Sequence, residues 1–193
     1  MMKRYVYASI RMALLTLVVL GLVYPLAVTG LAQVFMPAQA NGSLVTSSNG
    51  TIVGSSLIGQ GFTDAKYFRG RPSVAGADGY DATASSASNL APTSKALVDS
   101  VASRVASAVA ENPGLKAGAV PVDMVTASGS GLDPDITLAN AYAQVARVAA
   151  ARGMTDAAVR GVVDANVTGR QFGVLGEPRV RVLLLNLALD AAK

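Results

Sequence analysis

Cysteine, histidine and tryptophan are absent from the 193 residues, and aromatic side chains make up only 5% of them. Without cysteine there is no disulfide framework and no thiolate metal site. Without histidine, the Ser-His-Asp and Cys-His catalytic arrangements and imidazole metal ligation are excluded together. The scarcity of rings points to a core of small and branched aliphatic side chains. Charge is missing too, but locally. Charged residues are 15% of the chain, yet none occurs from Met12 to Thr63.

The first part of that uncharged stretch, Met12 to Met36 (MALLTLVVLGLVYPLAVTGLAQVFM), is continuously apolar. At about 1.5 Å per helical residue it spans roughly 37 Å, enough for a hydrocarbon core of about 30 Å. Lys3, Arg4 and Arg11 precede it and no charge follows before Asp64. The positive-inside bias therefore keeps the amino terminus in the cytoplasm and sends the remainder across the membrane. Ala38-Gln39-Ala40 fits a signal-peptide cleavage pattern, but a signal's apolar region runs only about 7 to 15 residues, so a retained anchor is expected. Pro25 removes a backbone donor inside the span and predicts a kink. Thr29 and Gly30, one turn on, allow close approach of another helix. Tyr24 and Gln33 place polar groups where lipid has no partner for them, which fits docking against other membrane helices.

The expected organisation is residues 1–11 cytoplasmic, 12–36 a membrane-spanning helix, and 37–193 a single extracytoplasmic mixed α/β domain with one small sheet. Removing the three cations before the span leaves thirteen basic against twelve acidic residues. Such a nearly neutral domain has no electrostatic footprint for nucleic acid.

Within the domain, Ser43–Thr46 and Thr51–Val53 flank Ser47-Ser48-Asn49-Gly50, and Asn-Gly is a strong hairpin signal. From Gly59 to Ser94 the chain is rich in Gly, Ser, Asn, Asp and Pro without periodicity, the profile of a long binding or disordered segment. Its stickiest part is Tyr67-Phe68-Arg69-Gly70-Arg71-Pro72. Aromatic residues beside arginine suit a protein interface, and a hydrophobic plug beneath a loop is the alternative. Lys95 to Glu111 predicts an amphipathic helix with Leu97, Val101, Val105 and Val109 inward and Val98 and Ala102 widening the stripe. Val120 to Ala127 alternates like a half-buried strand. A second helix carries Leu138, Ala141, Tyr142, Val145 and Val148 on one face and stops at Arg152-Gly153. Thr155 caps a third helix through Val159, Val162 and Val163. Val180 to Leu189 reads as a buried strand.

Two motifs are candidates for ion chemistry. Ser128-Gly129-Ser130-Gly131 joins a predicted strand to a helix start at Asp133-Pro134, where an anion is conceivable. It lacks the pattern of a P-loop, and Asp133 is expected to cap the helix. Asp123, Asp133 and Asp135 place three carboxylates close together, a surface able to concentrate cations without the spacing of a dedicated metal site.

The segments YPLAVTGLAQ (Tyr24–Gln33), QANGSL (Gln39–Leu44), YFRGRPS (Tyr67–Ser73), SNLAPTS (Ser88–Ser94), VPVDMVTASGSGLDP (Val120–Pro134) and FGVLGEPRVRVLLLNLALD (Phe172–Asp190) occur in this order in one family. The chain resembles the KdpC family, which belongs to the Kdp potassium-transporting ATPase. The resemblance implies a non-catalytic accessory subunit of a potassium uptake pump in the inner membrane. Its partners would be a channel-like potassium-binding subunit, a P-type ATPase subunit and a small membrane peptide. It also implies a catalytic-chaperone role that raises the ATP affinity of the ATPase subunit, with Gly169, Arg170 and Gln171 as the nucleotide contact. Composition itself points to no tightly bound cofactor. The family pattern tends to continue LDP with His and to carry Asn before the last apolar run, where this chain has Asp135 and Arg181.

Two other classes are weighed against this. A pilin-like assembly subunit would show an early acidic residue in its apolar helix and a Gly-Phe processing site, and neither is present. A secreted hydrolase would need an activated nucleophile, and Lys66, Lys95 and Lys116 sit in no Ser-Lys motif.

Overall fold

The structure, a computed structural model, describes residues 2–47 and 49–192. Ser48 of the predicted turn lies outside the described residues, as do Met1 and Lys193. The chain divides into two compact units that meet between Ser55 and Ser56.

The first unit is dominated by helix α1, Met2–Phe35, with a mean hydropathy of 2.2 over its most apolar window and none of that window buried. It begins ten residues before the predicted span, since nothing in Lys3 to Arg11 breaks a helix. A π-helical turn at Val19–Val23 immediately precedes Pro25, and the Tyr24 N–H reaches back to the Val19 carbonyl. Local widening of this kind is one way a helix accommodates a proline that cannot donate. Past a short turn at Pro37–Ala40, β1 (Leu44–Thr46) and β2 (Ile52–Ser55) pair antiparallel with an irregularity between Val45 and Thr46. The hairpin is where Asn49-Gly50 placed it, with Gly50 at φ 83°.

The second unit begins with residues 56–94, which contain no helix or strand. Then follow α2 (Lys95–Glu111), β3 (Asp135–Thr137), α3 (Leu138–Arg152), α4 (Asp156–Ala165), β4 (Val167–Thr168), β5 (Arg179–Arg181) and α5 (Val182–Ala191). Strand β5 is central, antiparallel to both β3 and β4, and sets Val180 opposite Ile136 and Val167. Ile136 and Val180 are buried and join Val145, Val148, Val159, Val163, Leu185 and Leu189 in the core. Thr137 caps α3 by accepting from the Asn140 N–H, and Thr155 caps α4 by accepting from Ala158. Gly153 ends α3 in the left-handed region.

Several expectations are corrected. Among the described residues there are two small sheets, one in each unit, where one was expected. Val120–Ala127 is not a strand: a 3-10 turn at Ala117–Ala119 leads into a short helix at Val122–Val125. Asp123 on that helix accepts from the Thr137 N–H, the Thr137 hydroxyl and the Asn140 amide, and these tertiary bonds override the alternation. Only Arg179–Arg181 of the last apolar run is strand, and Val182–Ala191 is helix. Its buried residues Val182, Leu183, Leu185, Asn186 and Leu189 follow helical spacing, and Leu and Ala favour helix over strand. Asp133-Pro134 does not open α3, because β3 intervenes and Thr137 takes the cap. On α2, Val98 and Ala102 are exposed, and of its residues only Ala108 is buried.

Candidate functional site

The long irregular segment of the second unit is held by polar side chains buried beneath it. Asn186, on α5 and 2% exposed, accepts from the Phe68 N–H at 2.8 Å and donates to the Phe68 carbonyl at 2.9 Å. Gln144, on α3, does the same for the next residue: it accepts from the Arg69 N–H at 2.8 Å and donates to the Arg69 carbonyl at 3.1 Å. Two amides from two helices thus pair the main chain as a neighbouring strand would. Arg147 donates to the carbonyls of Ala65 (2.6 Å) and Tyr67 (3.0 Å), and Arg152 to that of Lys66 (2.7 Å). Buried backbone groups need partners, and here α3 and α5 provide them.

Phe68, expected as an interface aromatic or a plug, is the plug: it is wholly buried in the core. Tyr67 lies nearer the surface, its hydroxyl donating to Asp190 at 3.1 Å and its ring flanked by Lys66 and Arg152, each 5.2 Å from the centroid. Its phenol is pushed up, first by burial and then by Asp190. Arg69 pairs with Glu111, and Arg71 with Asp133 at 3.1 Å. Tyr80 donates to the Arg71 carbonyl at 2.5 Å, and burial followed by the charge of Asp133 pushes its pKa up to about 12.

The Ser-Gly-Ser-Gly loop ties together separate stretches of irregular chain. Ser128 N–H donates to Pro72, Ser86 N–H to Ser130, and Ser73 Oγ to Gly131 at 2.6 Å. Gly131 sits at φ 69°, and a Cβ there would lie 2.7 Å from that of Ala75, so glycine is required. No helix begins at this loop, which removes the geometry an anion would use.

The three aspartates are spent on neighbours. Asp123 holds the start of α3, and Asp133 holds Arg71 and accepts from the Asp135 N–H. Asp135 pairs with Arg179 at 2.9 Å and Arg181 at 3.4 Å. Among the described residues there is no cluster of the kind that holds a metal ion. Asp135 and Arg181 are direct partners across β3 and β5. The two departures from the family pattern therefore face each other, an acid answering a base.

In the first unit, Gln33 shares hydrogen bonds with Asn41 at 3.2 and 3.4 Å, so its amide has a partner within the chain. Tyr24 and Pro25 follow the π turn, and Thr29 and Gly30 lie exposed one turn on.

Gly169, Arg170 and Gln171 lie in the exposed connection between β4 and β5. Gln171 and Leu175 exchange backbone hydrogen bonds at 2.9 Å, and Arg170 pairs with Glu177 at 2.6 Å. The turn they close exposes Phe172 (84%), Val174 (71%) and Leu175 (57%). Sequence reasoning did not single out this apolar tip. The only signal was three large apolar residues among glycines, Phe-Gly-Val-Leu-Gly.

The family model described as the c chain of the K+-transporting ATPase matches residues 6–191. A potassium-transporting ATPase KdpC subunit of Myxococcus xanthus is 58% identical over 182 residues, covering 94% of this chain and 85% of the relative. That of Gemmatimonas aurantiaca is 53% identical, covering 98% and 94%. That of Koribacter versatilis is 52% identical, covering 100% and 97%.

Proposed function

The chain belongs to the family of the c chain of the K+-transporting ATPase, and from that membership we propose that it serves a potassium uptake pump as a non-catalytic subunit acting from the outer face of the membrane. The observation that carries the reading is α1: a 34-residue helix with none of its most apolar window buried. An apolar surface of that size needs lipid or other helices. The charge distribution orients it, with Lys3, Arg4 and Arg11 inside and residues 37–193 outside. Exposed Tyr24, Thr29 and Gly30 are the docking residues on α1. The apolar tip at Phe172, Val174 and Leu175 is the part of the second unit that we assign to a partner of the pump. The partners are the channel-like subunit, the P-type ATPase subunit and the small membrane peptide implied by the resemblance.

No tight ATP site is proposed at Gly169–Gln171. The arginine there is neutralised by Glu177, and a domain on the outer face meets essentially no ATP. The family's chaperone effect would then be transmitted by contact with the ATPase subunit.

Single cysteines at Ser9 and Ser86 test the orientation in a naturally cysteine-free chain. With a membrane-impermeant thiol reagent on intact cells, Ser86→Cys labels and Ser9→Cys does not. Replacing Met12–Met36 by an unrelated anchor tests docking: the complex should dissociate in mild detergent, and growth at low external potassium should fail. Labelling at position 9 alone reverses the orientation, and an intact complex with the foreign anchor removes the docking role of α1.

A further inference from the structure

A cavity of about 280 Å³ opens beside α2 and α3 and is lined by four arginines, Arg69, Arg71, Arg104 and Arg147, against one carboxylate, Glu111. Phe62, Pro72 and Met124 add apolar wall. Two of the four cations are matched: Arg69 by Glu111 and Arg71 by Asp133. Arg104 and Arg147 have no carboxylate at ion-pair distance among the described residues. Arg104 donates from Nη1 to the Val125 carbonyl at 3.1 Å. Arg147 is 7% exposed and spends its guanidinium on neutral acceptors, Asn112, Gln144 and the carbonyls of Ala65 and Tyr67. Its pKa is pushed down to about 10, first by burial and next by the charge of Arg69, with Glu111 opposing. The Nε atoms of Arg69 and Arg71 are buried and lack an acceptor among the described residues.

A buried charged donor without an acceptor is costly, and like charges gathered around a void repel. The cavity therefore combines space with two positive charges that no carboxylate matches. Its complement is an anion with several acceptor oxygens. A phosphate group carries a charge of about −1.5 to −2 at pH 7 and three strong acceptors, whereas a carboxylate brings one charge and two oxygens. We propose that this cavity binds a phosphate group, held by Arg69, Arg71, Arg104 and Arg147. None of Gly169, Arg170 and Gln171 lines it. The group has two possible sources, free phosphate and a phospholipid headgroup, and their shared chemistry is what the arginines recognise.

The test uses the full chain in neutral detergent, with calorimetry and thermal unfolding as readouts. Inorganic phosphate should bind and raise the unfolding midpoint beyond chloride at equal ionic strength. Arg104→Gln, which removes a cation making one internal hydrogen bond, should weaken phosphate roughly tenfold or more. Ser107→Glu places a carboxylate on the cavity wall and should raise the midpoint while abolishing the response to phosphate. Dihexanoyl phosphatidylglycerol, below its micelle concentration, separates the sources. If it binds more tightly than phosphate and loses affinity in Arg104→Gln, the ligand is a lipid headgroup, and if it does not, the ligand is free phosphate. Three results overturn the proposal: phosphate acting no differently from chloride, which means an adventitious ion only; succinate binding as tightly as phosphate; or Arg104→Gln and Ser107→Glu both leaving phosphate affinity unchanged.

Discussion

Asn186 provides the sharpest test of how the irregular segment is held. Its amide makes two hydrogen bonds to Phe68, at 2.8 and 2.9 Å, inside the protein. Asn186→Ala removes both and leaves a buried N–H and a buried C=O without partners. Each orphaned group costs about 1–3 kcal/mol, so the loss is about 2–6 kcal/mol, less roughly 0.5 kcal/mol for the better helix propensity of alanine. Against a typical total of about 5–15 kcal/mol this is severe. Asn186→Leu separates hydrogen bonding from space filling, because leucine refills the volume and pairs nothing. Both variants should unfold at lower temperature in neutral detergent. Both should also lose hydrogen-exchange protection at Phe68 and Arg69, because the segment opens before the rest of the core. Recovery of stability in Asn186→Leu to within about 0.5 kcal/mol of the parent would refute the clamp and reduce Asn186 to a packing residue.

Tyr80 ties stability to alkaline pH. Its folded-state pKa is raised to about 12 from 10, so the contribution is complete below pH 10 and is lost as pH rises through 12. The loss reaches at most about 2–3 kcal/mol, and unfolding midpoints measured between pH 9 and 12 should fall less steeply in Tyr80→Phe. Reverting the two departures together, Asp135→His with Arg181→Asn, should cost about 0.5–1 kcal/mol less than the sum of the single changes. Additivity in that cycle within about 0.2 kcal/mol would show that the facing pair is uncoupled. Calorimetry of the full chain with Mg-ATP should show no tight binding, and tight binding that disappears in Gln171→Ala would restore the nucleotide role to the β4–β5 connection.

Features that depend on local composition and spacing were legible in the sequence. The long apolar helix showed as an uncharged apolar run, and the hairpin as Asn49-Gly50. Helices α2, α3 and α4 showed as apolar residues at three- and four-residue spacing, with Thr155 and Gly153 marking their ends. Contacts between distant residues settle the rest. Val120–Ala127 alternates, but Asp123 is drawn to Thr137 and Asn140, which lie far along the chain, and the segment coils into a short helix. The last apolar run divides at Arg181, where pairing with Asp135 ends and packing of Leu185 and Leu189 begins. Phe68 became core rather than surface because Asn186 satisfied its own backbone groups and Gln144 those of Arg69. The cavity of four arginines was beyond sequence reasoning for the same reason. Arg69, Arg71, Arg104 and Arg147 are scattered through the chain, and only the path of the irregular segment over α2 and α3 brings their like charges together.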